Sequence, residues 1–460
     1  MRRFVHESGL PADRETAFAW HARDGAFERL TPPWELVSVA SRQGENLRPG
    51  TKVVFRVYNG PLPVTWVARH TDYEPPYMFR DEQVSGPFDH WRHTHRFSEA
   101  GGGCTLSDEI EYELPLAPAG PLLGGGMVEK KLARMFGWRH RTTAGDLDLH
   151  GRYPEFSGGH VMITGAGGML GSILAPFLTT GGHRVTKMVR RVACSEDCEV
   201  RWEPLSGMVD TVGLPPVDAV VHLAGENIGE GRWTRDKKRR IVESRLVATR
   251  KLVRFLARMT PRPEVLVSAS AVGYYGDRGD EVLDESAPAG DGFIPWLCEE
   301  WEKAAMEAQD AGIRVVCLRI GVVLSPAGGA LKKLGGPARA GICPYMGDGG
   351  QYVGWVAPED VLGAVLHCMA DQGLSGPVNL TAPHPVTSRQ LAQGLRNVLG
   401  RGLVTKVPAA AVRTAFGPMA EEVLLAGARV APKKLLDSGY RFLYPELTPA
   451  LAHNLGVAGS

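Results

Sequence analysis

The run HVMITGAGGMLGSILAPFLTTGGHRVTKMVRR, residues 160–191, has the pattern of a β-α-β unit. Its apolar opening predicts a buried strand, the glycine-rich stretch predicts a turn, and the residues after it predict a helix and a second strand. Glycine at every third position of the turn permits a close approach of the backbone to a pyrophosphate, held by N–H groups at the positive end of the helix dipole. We therefore predict that this turn binds a dinucleotide through Gly165, Gly168, Met169, Leu170 and Gly171.

The second strand of this unit ends on Arg190 and Arg191, where a carboxylate would hydrogen-bond the ribose 2′-hydroxyl of NAD. Two guanidinium groups at this place would instead accept a 2′-phosphate through charge-assisted contacts, which favours NADP. The alternative interpretation is that both arginines are solvated surface residues.

A further buried strand is predicted from VDAVVHLAGENI, residues 217–228. It ends in a turn of small residues, so Leu223, Ala224 and Gly225 would let the backbone close on the cofactor. Strand ends of this kind line the crevice of a doubly wound sheet. The fold class predicted for this part of the chain is α/β, with a Rossmann-type parallel sheet over residues 159–385.

The first 150 residues have a different character. Their β-type runs, from KVVFRVYNG at residue 52 to CTLSDEIEYEL at residue 104, are broken by Gly and Pro, and a periodic helix is predicted near each end. Asp13 is the expected N-cap of the first helix. This order resembles the START-like, polyketide-cyclase-type helix-grip family, which implies an α+β domain over residues 1–150 with an apolar ligand between sheet and helix. The polar run HGRYPEFSGG, residues 150–159, is the predicted domain boundary.

Two histidines of this first part share a strand face. Alternation in GPFDHWRHTHRF, residues 86–97, places Trp91, His93, His95 and Phe97 on the same side. A metal site needs a third and a fourth ligand, which this stretch does not supply. We therefore predict no metal and interpret the two imidazoles as part of a polar cavity wall or as structural packing.

The run PEVLVSASAVGYYGDRGDEVLDE, residues 263–285, resembles the extended short-chain dehydrogenase/reductase superfamily. The resemblance implies that Ser270, at the end of a strand, is the active-site serine. GRWT (231–234), WLCEEWEKAA (296–305) and RVAPKKLLDSGYRFLYPEL (429–447) resemble the epimerase-like atypical branch of that superfamily. This similarity spans about residues 160–455 and implies that residues 386–460 form a substrate-side helical cap over the crevice.

The usual proton relay of that superfamily, Tyr-x-x-x-Lys, is missing. If the spacing from Ser270 is kept, Cys298 and Glu302 stand in its place, and both would face the pocket from one side of a helix. Acidic neighbours disfavour a thiolate, so Cys298 would at best donate a proton. The alternatives are that this helix face is core packing, or that Tyr274 or Tyr275 is the substitute acid. Tyr275 matches a superfamily position that usually has a structural role.

Composition limits the classes of partner. The net charge of +1 gives no field that would attract nucleic acid or an anionic membrane. The seven cysteines are scattered and the sequence starts without an apolar run, which predicts a cytoplasmic protein with reduced thiols. The sequence has no apolar stretch long enough to predict a membrane span.

The resemblance to the epimerase-like branch implies a small-molecule substrate as the partner, such as a sugar nucleotide or a carbonyl compound. We predict an NADP-dependent oxidoreductase or epimerase-like enzyme with atypical acid/base residues. Two alternatives are an NADP-binding regulator or scaffold without catalysis, and a carrier of an apolar ligand that acts through the first domain.

Overall fold

The computed structural model describes residues 1–58, 63–115, 119–194, 198–212 and 214–457, with the backbone alone for residues 119–125. The last two residues of the predicted strand KVVFRVYNG, at 59 and 60, and the first residue of the predicted strand LPVTWVARH, at 62, lie outside this described part. The chain forms two compact units, one of Met1–Pro154, Pro176–Gly182 and Leu455–Ser460, the other of Glu155–Ala175 and His183–Asn454. Among the described helices, none combines the length and the apolar character needed to cross a bilayer.

Within its described residues, the first unit is a seven-stranded antiparallel sheet with three helices. Its strands are β1 (Arg2–Leu10), β2 (Val37–Gln43), β3 (Lys52–Tyr58), β4 (Pro63–Glu74), β5 (Met78–Ser85), β6 (His90–Ala100) and β7 (Gly103–Glu113). Its helices are α1 (Arg14–Ala22), α2 (Ala26–Arg29) and α3 (Ala119–Gly151). The strand order is β1-β7-β6-β5-β4-β3-β2, a meander closed by the first strand. The predicted order of strands and flanking helices is confirmed.

Local sequence explains the start of helix α1 and the core of this unit. The Asp13 side chain accepts a hydrogen bond from the Thr16 N–H at 2.7 Å, so the predicted N-cap of α1 is confirmed. Strand β7 alternates buried and partly exposed residues, which gives the sheet one inner face. On that face Ile110 packs with Leu132 and Phe136 of α3, and this contact holds the long helix against the sheet.

The second unit contains sixteen described strands. They are β8 (His160–Thr164), β9 (Arg184–Val189), β10 (Glu199–Glu203), β11 (Met208–Val209), β12 (Ala219–His222), β13 (Val265–Ala271), β14 (Val282–Leu283), β15 (Arg314–Ile320), β16 (Val322–Val323), β17 (Ile342–Met346), β18 (Tyr352–Val353), β19 (Trp355–Val356), β20 (Gly376–Leu380), β21 (Val386–Thr387), β22 (Leu403–Val407) and β23 (Arg429–Val430). The helices that begin in this unit are α4 (Gly171–Thr180), α5 (Arg235–Val242), α6 (Ala248–Leu256), α7 (Phe293–Met306), α8 (Gly329–Arg339), α9 (Pro358–Ala370), α10 (Ser388–Leu399), α11 (Ala409–Phe416), α12 (Lys433–Asp437) and α13 (Leu447–Leu455).

The main sheet of the second unit has the order β11-β10-β9-β8-β12-β13-β15-β20. All neighbours are parallel except β10 and β11. The chain moves outward in one direction from β8 to β10 and then crosses to β12 on the other side, so the order reverses between β8 and β12. In a doubly wound sheet this reversal opens a crevice at the carboxyl ends of the two strands. The predicted α/β class with a Rossmann-type sheet is confirmed.

The residues after β20 are joined to the rest of the second unit by short strand pairs. Strand β21 pairs with β18, β22 with β17, and β23 with β14. Helix α10 begins with a capping box between Thr387 and Gln390. The C-terminal segment therefore contains strands as well as the predicted helices.

Candidate functional site

The glycine-rich turn between β8 and α4 requires glycine for steric reasons. Gly165 has a φ of +70°, and a Cβ there would lie 2.7 Å from the carbonyl carbon of Leu223. A Cβ on Gly171 would overlap the carbonyl oxygen of Gly165 and lie 2.6 Å from the Cα of Ala166. Such separations are not tolerated, so both positions demand glycine. The turn is pressed closely against the end of β12.

The other residues predicted for this turn surround its tip. The Gly168 N–H donates to the Gly165 carbonyl at 2.9 Å, and Gly168 itself is exposed. The Leu170 carbonyl accepts the Leu174 N–H at 2.9 Å, which starts the helix, and Met169 packs against Gly328. The backbone of the turn is thus accessible at the N-terminus of α4, where a helix favours an anion.

Leu223, Ala224 and Gly225 follow β12 on the opposite wall of the crevice. The Leu223 N–H donates to the Thr164 carbonyl at 3.2 Å, and the Ala224 N–H donates to the Thr164 hydroxyl at the same distance. These bonds tie the end of β12 to the end of β8. The three predicted residues and the glycine turn therefore lie together at the point where the strand order reverses.

The two arginines at the end of β9 differ in their partners. Arg191 forms a 2.6 Å ion pair with Glu199. Arg190 is exposed, and no ion pair or side-chain hydrogen bond links it to another residue in the described parts of the chain. Arg190 is thus the one of the pair whose guanidinium is available to a ligand.

Ser270, Glu302 and Arg319 form one buried network. The Ser270 hydroxyl donates to Glu302 Oε1 at 2.6 Å, and both carboxylate oxygens of Glu302 accept from Arg319 at 2.8 Å. Arg319 extends from β15, the strand next to β13 in the sheet, and its side chain is only 3% exposed. Glu302 is therefore the counter-ion of a buried arginine.

Cys298 lies in the hydrophobic core beside Glu302. It is 3% exposed and packs with Leu297 and Trp301 of its own helix and with Met419. Burial, assisted by the charge of Glu302, raises the pKa of the Cys298 thiol to about 12. A thiol in this position is neutral at physiological pH and is a weak acid.

The two tyrosines after β13 have different environments. Tyr275 is fully buried, its hydroxyl lies 2.7 Å from Asn379 Oδ1, and it accepts a hydrogen bond from Arg319 at 3.0 Å. Burial raises the pKa of Tyr275 to about 12. Tyr274 is half-buried, and the Arg319 guanidinium lies 3.4 Å from the centroid of its ring. Within the described residues, no hydrogen bond engages the Tyr274 hydroxyl.

Two further side chains near the crevice were not predicted. His222 is buried between the hydroxyls of Thr164, at 2.7 Å, and Thr249, at 2.9 Å, and burial lowers the pKa of this imidazole to about 4. Arg245 donates to the Glu226 carbonyl at 3.0 Å and lies against Gly225. Arg245 belongs to a short π-helical turn, Glu243–Val247. Turns of this kind are common at functional sites, but they have no clear sequence signal.

Asp360 has a structural role. It lies in the first turn of α9, and its carboxylate accepts the backbone N–H groups of Leu443 at 2.6 Å and Tyr444 at 3.0 Å. The side chain therefore fixes the segment before α13.

The first unit has a cavity of about 410 Å³. Apolar side chains including Phe55, Trp66 and Phe79 line it, together with the buried pair His93 and His95. The predicted common face of these two histidines is confirmed, because their β6 neighbours Trp91 and Phe97 are also buried on it. Burial lowers the pKa of His93, but hydrogen bonds to Asp108 and Asp81 outweigh this effect and raise the pKa to about 9.

Comparison with protein-family models gives three matches. Residues 161–380 match the NAD dependent epimerase/dehydratase family, and residues 10–141 match the polyketide cyclase / dehydrase and lipid transport family. Residues 407–453 match a domain of unknown function, DUF1731. The resemblances inferred from the sequence are confirmed for both parts of the chain.

Individual relatives agree with these matches. An epimerase family protein of Mycobacterium bovis is 40% identical over 293 residues, which cover 64% of this chain and 96% of the relative. The human epimerase family protein SDR39U1 is 33% identical over 294 residues, covering 63% of this chain and 98% of the human protein.

Two solved structures are also similar. The first, described as a nucleoside-diphosphate sugar epimerase from Corynebacterium glutamicum, is 32% identical with a TM-score of 0.81, covering 98% of this chain and 90% of that one. The structure of human SDR39U1 with NADPH is 32% identical with a TM-score of 0.60, and the match covers 65% of this chain and 99% of the human one. Glycine turn, strand order and relatives lead to the same conclusion: this chain belongs to the NAD dependent epimerase/dehydratase family.

Proposed function

We propose that this protein binds NADP(H) in the crevice between β8 and β12 and is an oxidoreductase or epimerase-like enzyme. The observation that carries the proposal is the close packing of the turn: a side chain on Gly165 would overlap the end of β12, and one on Gly171 would overlap the backbone of Gly165 and Ala166. This packing leaves an accessible backbone turn at a helix N-terminus, which suits a pyrophosphate. The bound nicotinamide would supply hydride transfer to or from a carbinol or carbonyl carbon of the substrate.

NADP is the proposed form of the cofactor because of the end of β9. Arg190 is exposed and its guanidinium is available, whereas Glu199 already engages Arg191. A single free guanidinium can make a bidentate contact with a 2′-phosphate. The similar human protein, whose structure contains NADPH, supports this choice.

The geometry also suggests how the polar side chains would meet a substrate. The single hydroxyl proton of Ser270 is directed at Glu302, so its oxygen is left to accept a hydrogen bond. Ser270 therefore suits a substrate hydroxyl group. Of the five predicted catalytic residues, Tyr274 alone has a titratable side chain that the described contacts leave uncommitted, and Arg319 places a permanent cation beside its ring. We propose Tyr274 as the acid/base group.

Calorimetric titration with NADPH and NADH tests the cofactor site. The expected result is tighter binding of NADPH, with Arg190→Ala weakening NADPH by about 10-fold or more and leaving NADH unchanged, since a charge-assisted bond contributes about 1.5–3 kcal/mol. Arg191→Ala is the matched control, because Glu199 holds that side chain. Equal affinities of the wild type for both cofactors would contradict the NADP assignment.

Single-turnover absorbance of bound NADPH tests the chemistry. The protein is mixed with a panel of carbonyl compounds and nucleotide sugars, and a loss of nicotinamide absorbance with one class is expected. Tyr274→Phe should slow that step by about 100-fold or more without changing NADPH affinity, since general acid catalysis contributes about 10²–10⁴-fold. Cys298→Ala should leave the step unchanged.

A second candidate function is binding without catalysis. The observation in its favour is that Cys298 lies in the core and Glu302 is the counter-ion of Arg319, so both predicted substitutes for the usual relay are occupied. Bound NADP(H) would then act as a signal or as part of the scaffold. NADPH binding with no absorbance change for any substrate class would favour this function.

The cavity of the first unit supports an additional carrier role. Its volume of about 410 Å³ and its aromatic lining fit an apolar small molecule. Native mass spectrometry of the full chain is expected to show a co-purifying apolar compound. Replacing the lining residue Val53 by Trp should displace the compound, whereas Val39→Trp, on an exposed strand position, should not.

A further inference from the structure

The wall of the first unit's cavity carries a cluster of metal-ligating side chains from adjacent strands. In the strand register His70 of β4 lies opposite Asp81 of β5, and Asp81 lies opposite His93 of β6. His95, two residues further along β6, is on the same face. All four residues line the cavity. The third ligand that the sequence of β6 alone did not supply comes from the neighbouring strand.

We propose that Asp81, His93 and His95 bind one divalent transition-metal ion. One ligand atom from each of these residues lies within 4.8 Å of the other two. His93 Nδ1 and Asp81 Oδ1 are 3.5 Å apart. Two ligands of a tetrahedral zinc ion at bond lengths of about 2.0–2.1 Å are separated by about 3.3 Å, so only a small adjustment would close the site.

Asp108 provides the outer support that metal-binding histidines usually have. Its Oδ1 lies 3.2 Å from His93 Nε2 and 2.5 Å from His95 Nδ1. These contacts leave Nδ1 of His93 and Nε2 of His95 for the ion. A carboxylate that holds the second ring nitrogen fixes the tautomer and orientation of a ligating imidazole. Here one buried carboxylate is hydrogen-bonded to His93 Nε2 and is in close contact with His95 Nδ1.

Ring packing further restricts the two imidazoles. The His95 ring stacks on Phe79 with centroids 4.0 Å apart, and His93 meets the edge of Phe136 at 5.2 Å. Ligands that are already oriented bind a metal at a smaller entropic cost. Two histidines and one carboxylate leave coordination positions open, as in catalytic zinc sites. Since these ligands line the cavity, an open position would face it and would take water or an oxygen atom of the cavity's ligand.

Metal titration of the full chain tests this proposal. The protein, freed of metal with a chelator, is titrated with Zn²⁺ by calorimetry and with Co²⁺ by visible absorbance, which reports coordination geometry directly. Every form tested carries Cys194→Ser and Cys198→Ser, so these two loop thiols cannot bind the ion. The expected result is one ion per chain, bound at least 100-fold more weakly by Asp81→Asn and by His95→Gln.

Two further variants distinguish the loss of a metal ligand from the loss of a neighbouring residue. Asp108→Asn is expected to weaken binding by about 10–100-fold, the usual effect of losing an outer-shell partner. His21→Gln is the matched control, since this buried cavity histidine bonds the Ala17 carbonyl at 2.7 Å and should bind the ion normally. Circular dichroism verifies that each variant is folded. No Zn²⁺ or Co²⁺ binding by the parent form, or unchanged binding by folded Asp81→Asn, would overturn the proposal and leave a purely ion-paired cluster.

Discussion

The hydroxyl of Ser270 donates a 2.6 Å hydrogen bond to Glu302, which simultaneously neutralises the buried guanidinium of Arg319. A helix, α7, and two strands of the central sheet, β13 and β15, therefore share one charged junction at the crevice. The glutamate thus links α7 to the sheet and orients the serine.

Glu302→Gln should destabilise the second unit strongly. Glutamine keeps the shape of the side chain but leaves the Arg319 charge without a counter-ion, and such losses cost about 3–5 kcal/mol. We expect the free energy of unfolding in urea, followed by tryptophan fluorescence, to fall by about 3 kcal/mol or more. Glu299→Gln, which removes an exposed pair with Lys303 on the same helix, is the control and should cost less than about 1 kcal/mol. Equal effects of the two variants would show that the buried pair contributes little.

Gly171→Ala should disrupt the turn between β8 and α4 even without cofactor. The added methyl group would meet the backbone of Gly165 and Ala166, which cannot move without displacing the end of β8. We expect a clear drop in the thermal midpoint of the cofactor-free protein and loss of NADPH binding. Gly167→Ala is the matched control, because a Cβ there meets no atom within 4 Å, and its cofactor-free midpoint should be close to wild type. A normal midpoint for Gly171→Ala would show that the turn is adaptable.

Cys298 should be chemically inert in the folded protein. Burial and the charge of Glu302 raise the pKa of its thiol to about 12, so at pH 8 very little thiolate is present. We expect iodoacetamide to modify the exposed Cys198 rapidly and Cys298 only after unfolding. Peptide mass spectrometry of samples quenched over time measures both rates. Comparable rates for the two cysteines in the native protein would contradict the buried position.

Asp360 should make stability depend on pH. Burial, with a contribution from Glu359, raises the pKa of Asp360 to about 7, although N–H bonds from Leu443 and Tyr444 oppose the shift. The folded chain then keeps a proton that the unfolded chain releases above a pKa of about 4. The stability from this group is therefore complete at low pH and is lost as pH rises towards about 7.

Asp360→Asn removes this titration. Urea unfolding at several pH values between about 5 and 8 should show a smaller decline in stability for Asp360→Asn than for the wild type. Asp310→Asn, on an exposed position, should keep the wild-type slope. If Asp360→Asn also kept that slope, the carboxylate would be ionised throughout this range.

Sequence patterns predicted the features that depend on neighbouring residues. The glycine spacing around Gly165 and Gly171 indicated a strand, turn and helix, because backbone sterics act within a few residues. Alternation in β6 likewise placed His93 and His95 on one buried face, since a strand repeats every two residues. The N-cap at Asp13 followed from a contact three residues away. Each of these features depends only on residues that lie within a few positions of one another in the sequence.

What the sequence by itself determined is therefore the local structure and the family to which it belongs. Only the tertiary structure decided what the polar side chains do: Arg319 of β15 pairs with Glu302 of α7, and Asp81 and Asp108 meet His93 from the strands on either side of β6. An acidic residue at an inward position of an alternating strand, such as Asp108 in β7, was the signal that could have indicated the cluster. Partners remained hidden because a charge or a ligand atom acts on whatever lies within a few ångströms in space, and folding brings together residues that are far apart in the chain.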